Sequence, residues 1–109
     1  PEAMLKMWRE IELTWQQCGR SGRPRWVGAS YFALGGNAAD LATRYIRANY
    51  GYSPDLAAKR LRTLPASAAA VKDAIKRQAD MGVDEFILRP CAEDLDQMDL
   101  LAEIAAQVK

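Results

Sequence analysis

Two apolar runs constrain this chain more than any other feature, because they are the only stretches suited to buried strands. WVGASYFAL occupies residues 26–34, bounded by Pro24 and by Gly35-Gly36, and FIL occupies residues 86–88 inside MGVDEFILRP. The first is almost uniformly apolar and shows no alternation. Strands of that kind are covered on both faces, as in parallel sheets whose crossovers are helices. A two-stranded sheet is marginal by itself, and about three strands or helix cover is the usual threshold for stability. The expectation is therefore an α/β chain that is a fragment of a larger α/β domain, or one that assembles with other copies or other chains.

The rest of the sequence carries helical period. Met4, Trp8, Ile11, Trp15 and Cys18 recur every three or four positions, the stripe of an amphipathic helix that ends at Gly19. Asn37 is placed to cap a helix reaching about residue 49, with Leu41, Tyr45 and Ile46 on one side. Ser53-Pro54 marks the start of a short helix holding Leu56, Ala57 and Leu61. Ser67 caps a helix over residues 68–81 that turns Val71, Ala74, Ile75 and Ala79 inward, and Asp94 with Gln97 forms a capping-box-like start for a last helix. In that helix Leu95, Met98, Leu101, Ile104, Ala105 and Val108 form the stripe. The order predicted is helix, strand, helix pair, helix, strand, helix.

Composition excludes several function classes. Fifteen Lys and Arg against fourteen Asp and Glu leave a net charge of +1 with the signs interspersed. A nucleic-acid reader carries a clustered basic surplus, so none is expected as a partner. No apolar run approaches the roughly 18 residues of a membrane span, and a cytoplasmic protein with no membrane partner is expected. Histidine is absent, which removes Ser-His-Asp and Cys-His catalysis and most transition-metal sites. No metal site is expected. Cys18 and Cys91 lack CxxC spacing and read as reduced thiols.

RPRWVGASYFALGGNAADLATRYIRANYG, followed after an interruption by SAAAVKDAIKRQADMGVDEFILRPCAEDLDQMDLLAEIAAQV, resembles the C-terminal third of the bacterial luciferase-like monooxygenase family. These are flavin-dependent (β/α)₈ TIM-barrel enzymes. The resemblance covers nearly the whole chain. It implies that residues 2–18 are the sixth outer helix, 25–34 the seventh strand, 68–81 the seventh helix, 84–88 the eighth strand and 94–108 the closing helix. Residues 35–65 would be an insertion after the penultimate strand and a candidate lid. Residues 1–109 then form the C-terminal part of one barrel domain, its last two βα units with the preceding helix.

The chemistry so implied is oxidoreductase or monooxygenase chemistry on a small organic substrate. Reduced FMN, or in some members the deazaflavin coenzyme F-420, binds at the barrel mouth and carries the reaction, while the protein binds, orients and excludes water. Barrel enzymes place chemistry at the C-terminal ends of their strands. Arg89 and Phe32 are the candidates for cofactor contact, and Tyr31, Tyr45 and Tyr50 those for substrate contact. No catalytic residue is assigned. The remaining partners implied are the rest of the barrel or another copy of the chain, with a homo-oligomer expected.

Each candidate also has a plainer reading. Arg89 suits a structural ion pair at the rim, Cys91 a small packed side chain, and one of Tyr31 and Phe32 must face away from the barrel interior. Trp8 and Trp15 suit helix packing or a dimer contact. Gly35-Gly36-Asn37 is a tight turn as readily as a phosphate loop. Arg20, Arg23 and Arg25 fall at the opposite, N-terminal end of the strands, where charge serves stability. The alternative function is a non-catalytic α/β module that packs onto a partner chain. The barrel reading demands parallel, adjacent strands, helices on one outer side, and Arg89 at the same end as the Gly35 loop.

Overall fold

Two strands, β1 (Val27–Phe32) and β2 (Glu85–Pro90), pair in parallel in a computed structural model that describes residues 2–108. The register sets Val27 opposite Glu85, Tyr31 opposite Arg89 and Phe32 opposite Pro90. Among the described residues five helices complete a mixed α/β architecture: α1 (Glu2–Gln17), α2 (Ala38–Tyr50), α3 (Pro54–Thr63), α4 (Ala68–Met81) and α5 (Leu95–Gln107). Among the described residues no helix is long and apolar enough to cross a membrane.

One face of the sheet is filled by α4 and α5. Phe32, Leu34, Val71 and Ile104 form its core, with Ile75, Leu88, Leu100, Leu101 and Val108 packed around them. Phe32 and Val71 are fully buried, and burying a side chain of that kind stabilises the fold by roughly 1.5–3 kcal/mol. Close packing at this face explains Gly28: a Cβ there would stand 2.6 Å from Oε1 of Gln78 on α4. Gly82 ends α4 in the left-handed region, φ 91°, and donates its N–H to the carbonyls of Ala79 and Gln78.

The opposite face is only half covered. At its C-terminal end Ala38 and Ala42 of α2 pack with Ala33 and Cys91, and Tyr31, Tyr45, Leu61 and Leu64 lie alongside. At its N-terminal end Val27 is 46% exposed, and Ile87, in the middle of β2, is 40% exposed. The overall dimensions agree. A radius of gyration of 16.1 Å exceeds the roughly 13 Å of a compact chain this long, and 7657 Å² of exposed surface exceeds the roughly 6,000 Å² such a mass would show.

Below the strands, Asp84 ties the chain together. Its Oδ2 accepts from the N–H of Trp26 at 2.8 Å and its other oxygen pairs with Arg23, while Arg25 pairs with Glu85. The Trp26 amide, more than any other group, holds the Asp84 carboxyl below its ordinary pKa. Arg20 lies over the ring of Trp15, 4.7 Å from its centroid. The arginine trio thus serves structure at the N-terminal end. Trp8 stacks on Trp26 with centroids 4.5 Å apart, which is how α1 is attached.

Several local expectations are corrected. β1 is not buried on both faces; the apolar run of residues 26–34 contains a strand of six residues, and the buried Trp26, Ala33 and Leu34 lie outside it. The α1 stripe does not face a core: Met4 and Ile11 are exposed, and Trp8 is the buried residue among those described. Asn37 makes no side-chain cap. Ser53 and Ser67 do cap, accepting from Leu56 at 3.4 Å and Ala70 at 3.1 Å. Asp94 caps through the N–H of Asp96, but Gln97 does not reach back to it. Ala79, Leu95, Met98 and Ala105 are exposed, because α4 meets the sheet through Val71, Ile75 and Gln78, and α5 through Leu100, Leu101 and Ile104 with Gln97 on Leu34.

Candidate functional site

The C-terminal ends of both strands, the end of α2 and the end of α3 meet around a cavity of about 270 Å³. Parallel pairing makes this meeting inevitable. Tyr31 and Arg89 are register partners, so both side chains leave the sheet on the same face, the one away from α4 and α5. Leu64 and Thr63 bring Arg60 to the other wall, and Tyr50 closes the end of α2 over the top.

The polar groups here interact in a definite pattern. The hydroxyls of Tyr31 and Tyr50 are 3.0 Å apart, with ring centroids at 6.2 Å in an edge-on arrangement. Their hydrogen bond, followed by burial, raises the pKa of Tyr31 above the ordinary phenol value, and the nearby Arg89 charge opposes that rise. The guanidinium of Arg60 lies 5.6 Å from the Tyr50 ring centroid, within cation–π range. Among the described residues no carboxylate lines the cavity. Among the described residues neither Arg60 nor Arg89 forms an ion pair, so the rim ion pair that was one reading of Arg89 is not found.

Three of the five expected contact residues converge at this cavity: Arg89, Tyr31 and Tyr50. Tyr45 stands behind them, its ring 5.3 Å from Tyr31 but packed among α2 and the loop residues. Phe32, expected beside the cofactor, is placed otherwise. It is fully buried on the opposite face of β1 against Val71 and Ile104, and offers no surface to a ligand. Strand alternation permits one of Tyr31 and Phe32 on each face, and Tyr31 is the one on the cavity side.

Arg60, Ser30 and Thr63 line the cavity without having been singled out. The sequence KRLRT offers several basic residues in a row, and only the packing of α3 through Ala57 and Leu61 decides which one turns to the strand ends. Cys91 is buried beside the site, and burial pushes its thiol up to about 11. That fits a packed side chain, since a thiolate is the reactive form. Gly35 takes a positive φ of 95° and its carbonyl accepts from Ala38 N–H at 3.2 Å, so the glycine doublet makes a tight turn.

Among the described residues no group of three or more His, Cys, Asp or Glu is placed to hold a metal ion. The donor set is instead cationic and phenolic. Guanidinium groups and phenol hydroxyls at the ends of parallel strands suit an anionic or strongly hydrogen-bonding ligand. No protein-family model matches the sequence, and neither a curated protein nor a solved structure matches it.

Proposed function

We propose that this chain forms the last two βα units of a luciferase-like (β/α)₈ barrel, a cytoplasmic flavin-dependent oxidoreductase acting on a small organic substrate. One observation carries the reading: a parallel β1–β2 pair has helices α4 and α5 on one face and, on the other, a cationic and phenolic cavity at the strand C-termini. The exposed Val27 and Ile87 fit an interior surface that further strands would cover.

The donor set suits the anionic parts of FMN or of coenzyme F-420. In this reading Arg89 and Arg60 hold such a group, Tyr31 and Tyr50 orient ligand through their paired hydroxyls, and α2 with α3 shields the cavity from water. When bound, reduced FMN would supply the electrons for oxygen insertion, and reduced deazaflavin would supply a hydride.

The test is a titration of FMN and of coenzyme F-420 into the full product of the gene. One of them binds, and Arg89→Ala weakens that binding by about tenfold or more, the loss of one charge-assisted contact. A folded product that binds neither overturns the reading. A second reading, a non-catalytic module that packs onto a partner, draws on the exposed Met7 and Leu13 of α1 and requires that same absence of flavin binding together with burial of α1 in a complex.

A further inference from the structure

The cavity at the strand ends is unusual in what its polar groups still have free to offer. Ser30 Oγ donates to its neighbour's carbonyl at 2.9 Å, and Thr63 Oγ1 donates to the carbonyl of Lys59 at 3.3 Å. Their protons are thus turned to the backbone. Tyr31 and Tyr50 share one hydrogen bond, which consumes one phenolic proton and leaves the other free to donate. Arg60 and Arg89 have no ion-pair partner among the described residues. Among the described residues the cavity lining supplies two arginines, the Arg60 guanidinium beside the Tyr50 ring and the Arg89 charge beside Tyr31, with one free phenol proton and no carboxylate to repel an anion.

Charge and geometry then select among anions. Two guanidinium groups match a dianion, and each fork is shaped for two oxygens. A carboxylate brings one charge and two oxygens, so it leaves one arginine uncompensated. A phosphate monoester brings close to two charges near neutral pH and three terminal oxygens, enough for both forks and the phenol. A volume of about 270 Å³ lies below the usual range for drug-sized ligands, which leaves room for the phosphate and a short carbon skeleton.

We propose that this cavity is a recognition site for the phosphate group of a small phosphate monoester. The site stands on the cavity's own residues and does not require that a flavin be the cofactor. The phosphate belongs either to a cofactor or to a substrate, and the two sources are separable by experiment.

Isothermal titration of inorganic phosphate into the full gene product, at low ionic strength and a pH where phosphate is a dianion, is the direct measurement. Saturable binding is expected, with acetate at least about tenfold weaker and with Arg89→Ala and Arg60→Ala each losing about tenfold or more. Lys59→Ala, on the same helix but outside the cavity, leaves binding unchanged. A tyrosine ultraviolet difference spectrum on adding phosphate to the unaltered protein gives a readout that needs no variant. Repeating the titration with FMN and with riboflavin present separates the sources: loss of phosphate binding with FMN alone assigns the site to the cofactor's phosphate, and retention with both assigns it to a substrate. Absence of saturable phosphate binding, equal binding of acetate, or full binding by both arginine variants overturns the proposal. Phosphate binding without affinity for either flavin keeps this site and removes the oxidoreductase reading, whereas flavin binding without phosphate binding does the reverse.

Discussion

Gln97 holds both backbone polar groups of Leu34. Its Oε1 accepts from the Leu34 N–H at 2.9 Å and its Nε2 donates to the Leu34 carbonyl at 2.8 Å, with the side chain buried. This pair fastens the end of β1 to α5, and so fixes the point where the chain turns toward the candidate site. Removing the amide strands two buried backbone groups, each costing about 1–3 kcal/mol. Gln97→Ala is expected to lower stability by about 2–4 kcal/mol in urea denaturation. Gln97→Glu should recover little of that, because a carboxylate accepts from the N–H but repels the carbonyl. A loss below about 0.5 kcal/mol, the level of an ordinary surface change, would show that the contact does not matter.

Tyr31 gives the site a signature in alkaline solution. Its pKa is raised in the folded chain, first by the hydrogen bond to Tyr50 and then by burial. A group that binds its proton more tightly when folded contributes stability that is complete below its unfolded pKa, about 10 for a phenol. That contribution is lost as pH rises through the folded value. Stability should therefore decline above about pH 10, and Tyr31→Phe should flatten the decline while costing about 1 kcal/mol at neutral pH for the lost hydrogen bond. Denaturation midpoints measured across that range decide it, and an unchanged alkaline slope in the variant would remove the Tyr31–Tyr50 bond as its cause.

The two cysteines should separate cleanly by reactivity. Cys18 is exposed. Cys91 is buried and its pKa is pushed up to about 11 by that burial, which leaves little thiolate near neutral pH. A disulfide reagent is expected to titrate one thiol rapidly and the second only as the protein unfolds. Rapid modification of both would mean that the α2–α3 layer opens over the site without global unfolding.

Much of this was legible because its causes are local. Ser53-Pro54 and Ser67 announced their helices through capping chemistry, and Gly82 with the apolar residues after it located β2 to within two residues. Parallel pairing followed from the helices between the strands. Arg89 and Tyr31 could be placed at the strand ends and Tyr50 in the segment that follows β1, but their meeting at one cavity, without Phe32 and Tyr45, depends on the packing of α2 and α3. What misled was apolar character with more than one source. Trp26 stacks on Trp8 just before the strand, and Leu34 lies beyond the last strand residue. Gln97, three residues after Asp94, has the spacing of a cap partner, yet its real partner is Leu34. Arg60 could not be told from Arg62 without knowing which side of α3 is buried.

Ile87 offers the sharpest separation between a chain that is complete in itself and one that is covered by more sheet. It sits in the middle of β2 on the face away from α4 and α5, opposite Ala29, and is 40% exposed. In the 109-residue chain, Ile87→Lys places its ammonium in water and should change stability by no more than about 0.5 kcal/mol. In the full gene product, a barrel interior would enclose this position, and an unpaired ammonium there should cost about 3 kcal/mol or more. Parallel denaturation of both proteins, each with and without the substitution, reads the difference. An equal and small effect in both would leave the face open to solvent, and the barrel reading would lose the surface on which its interior depends.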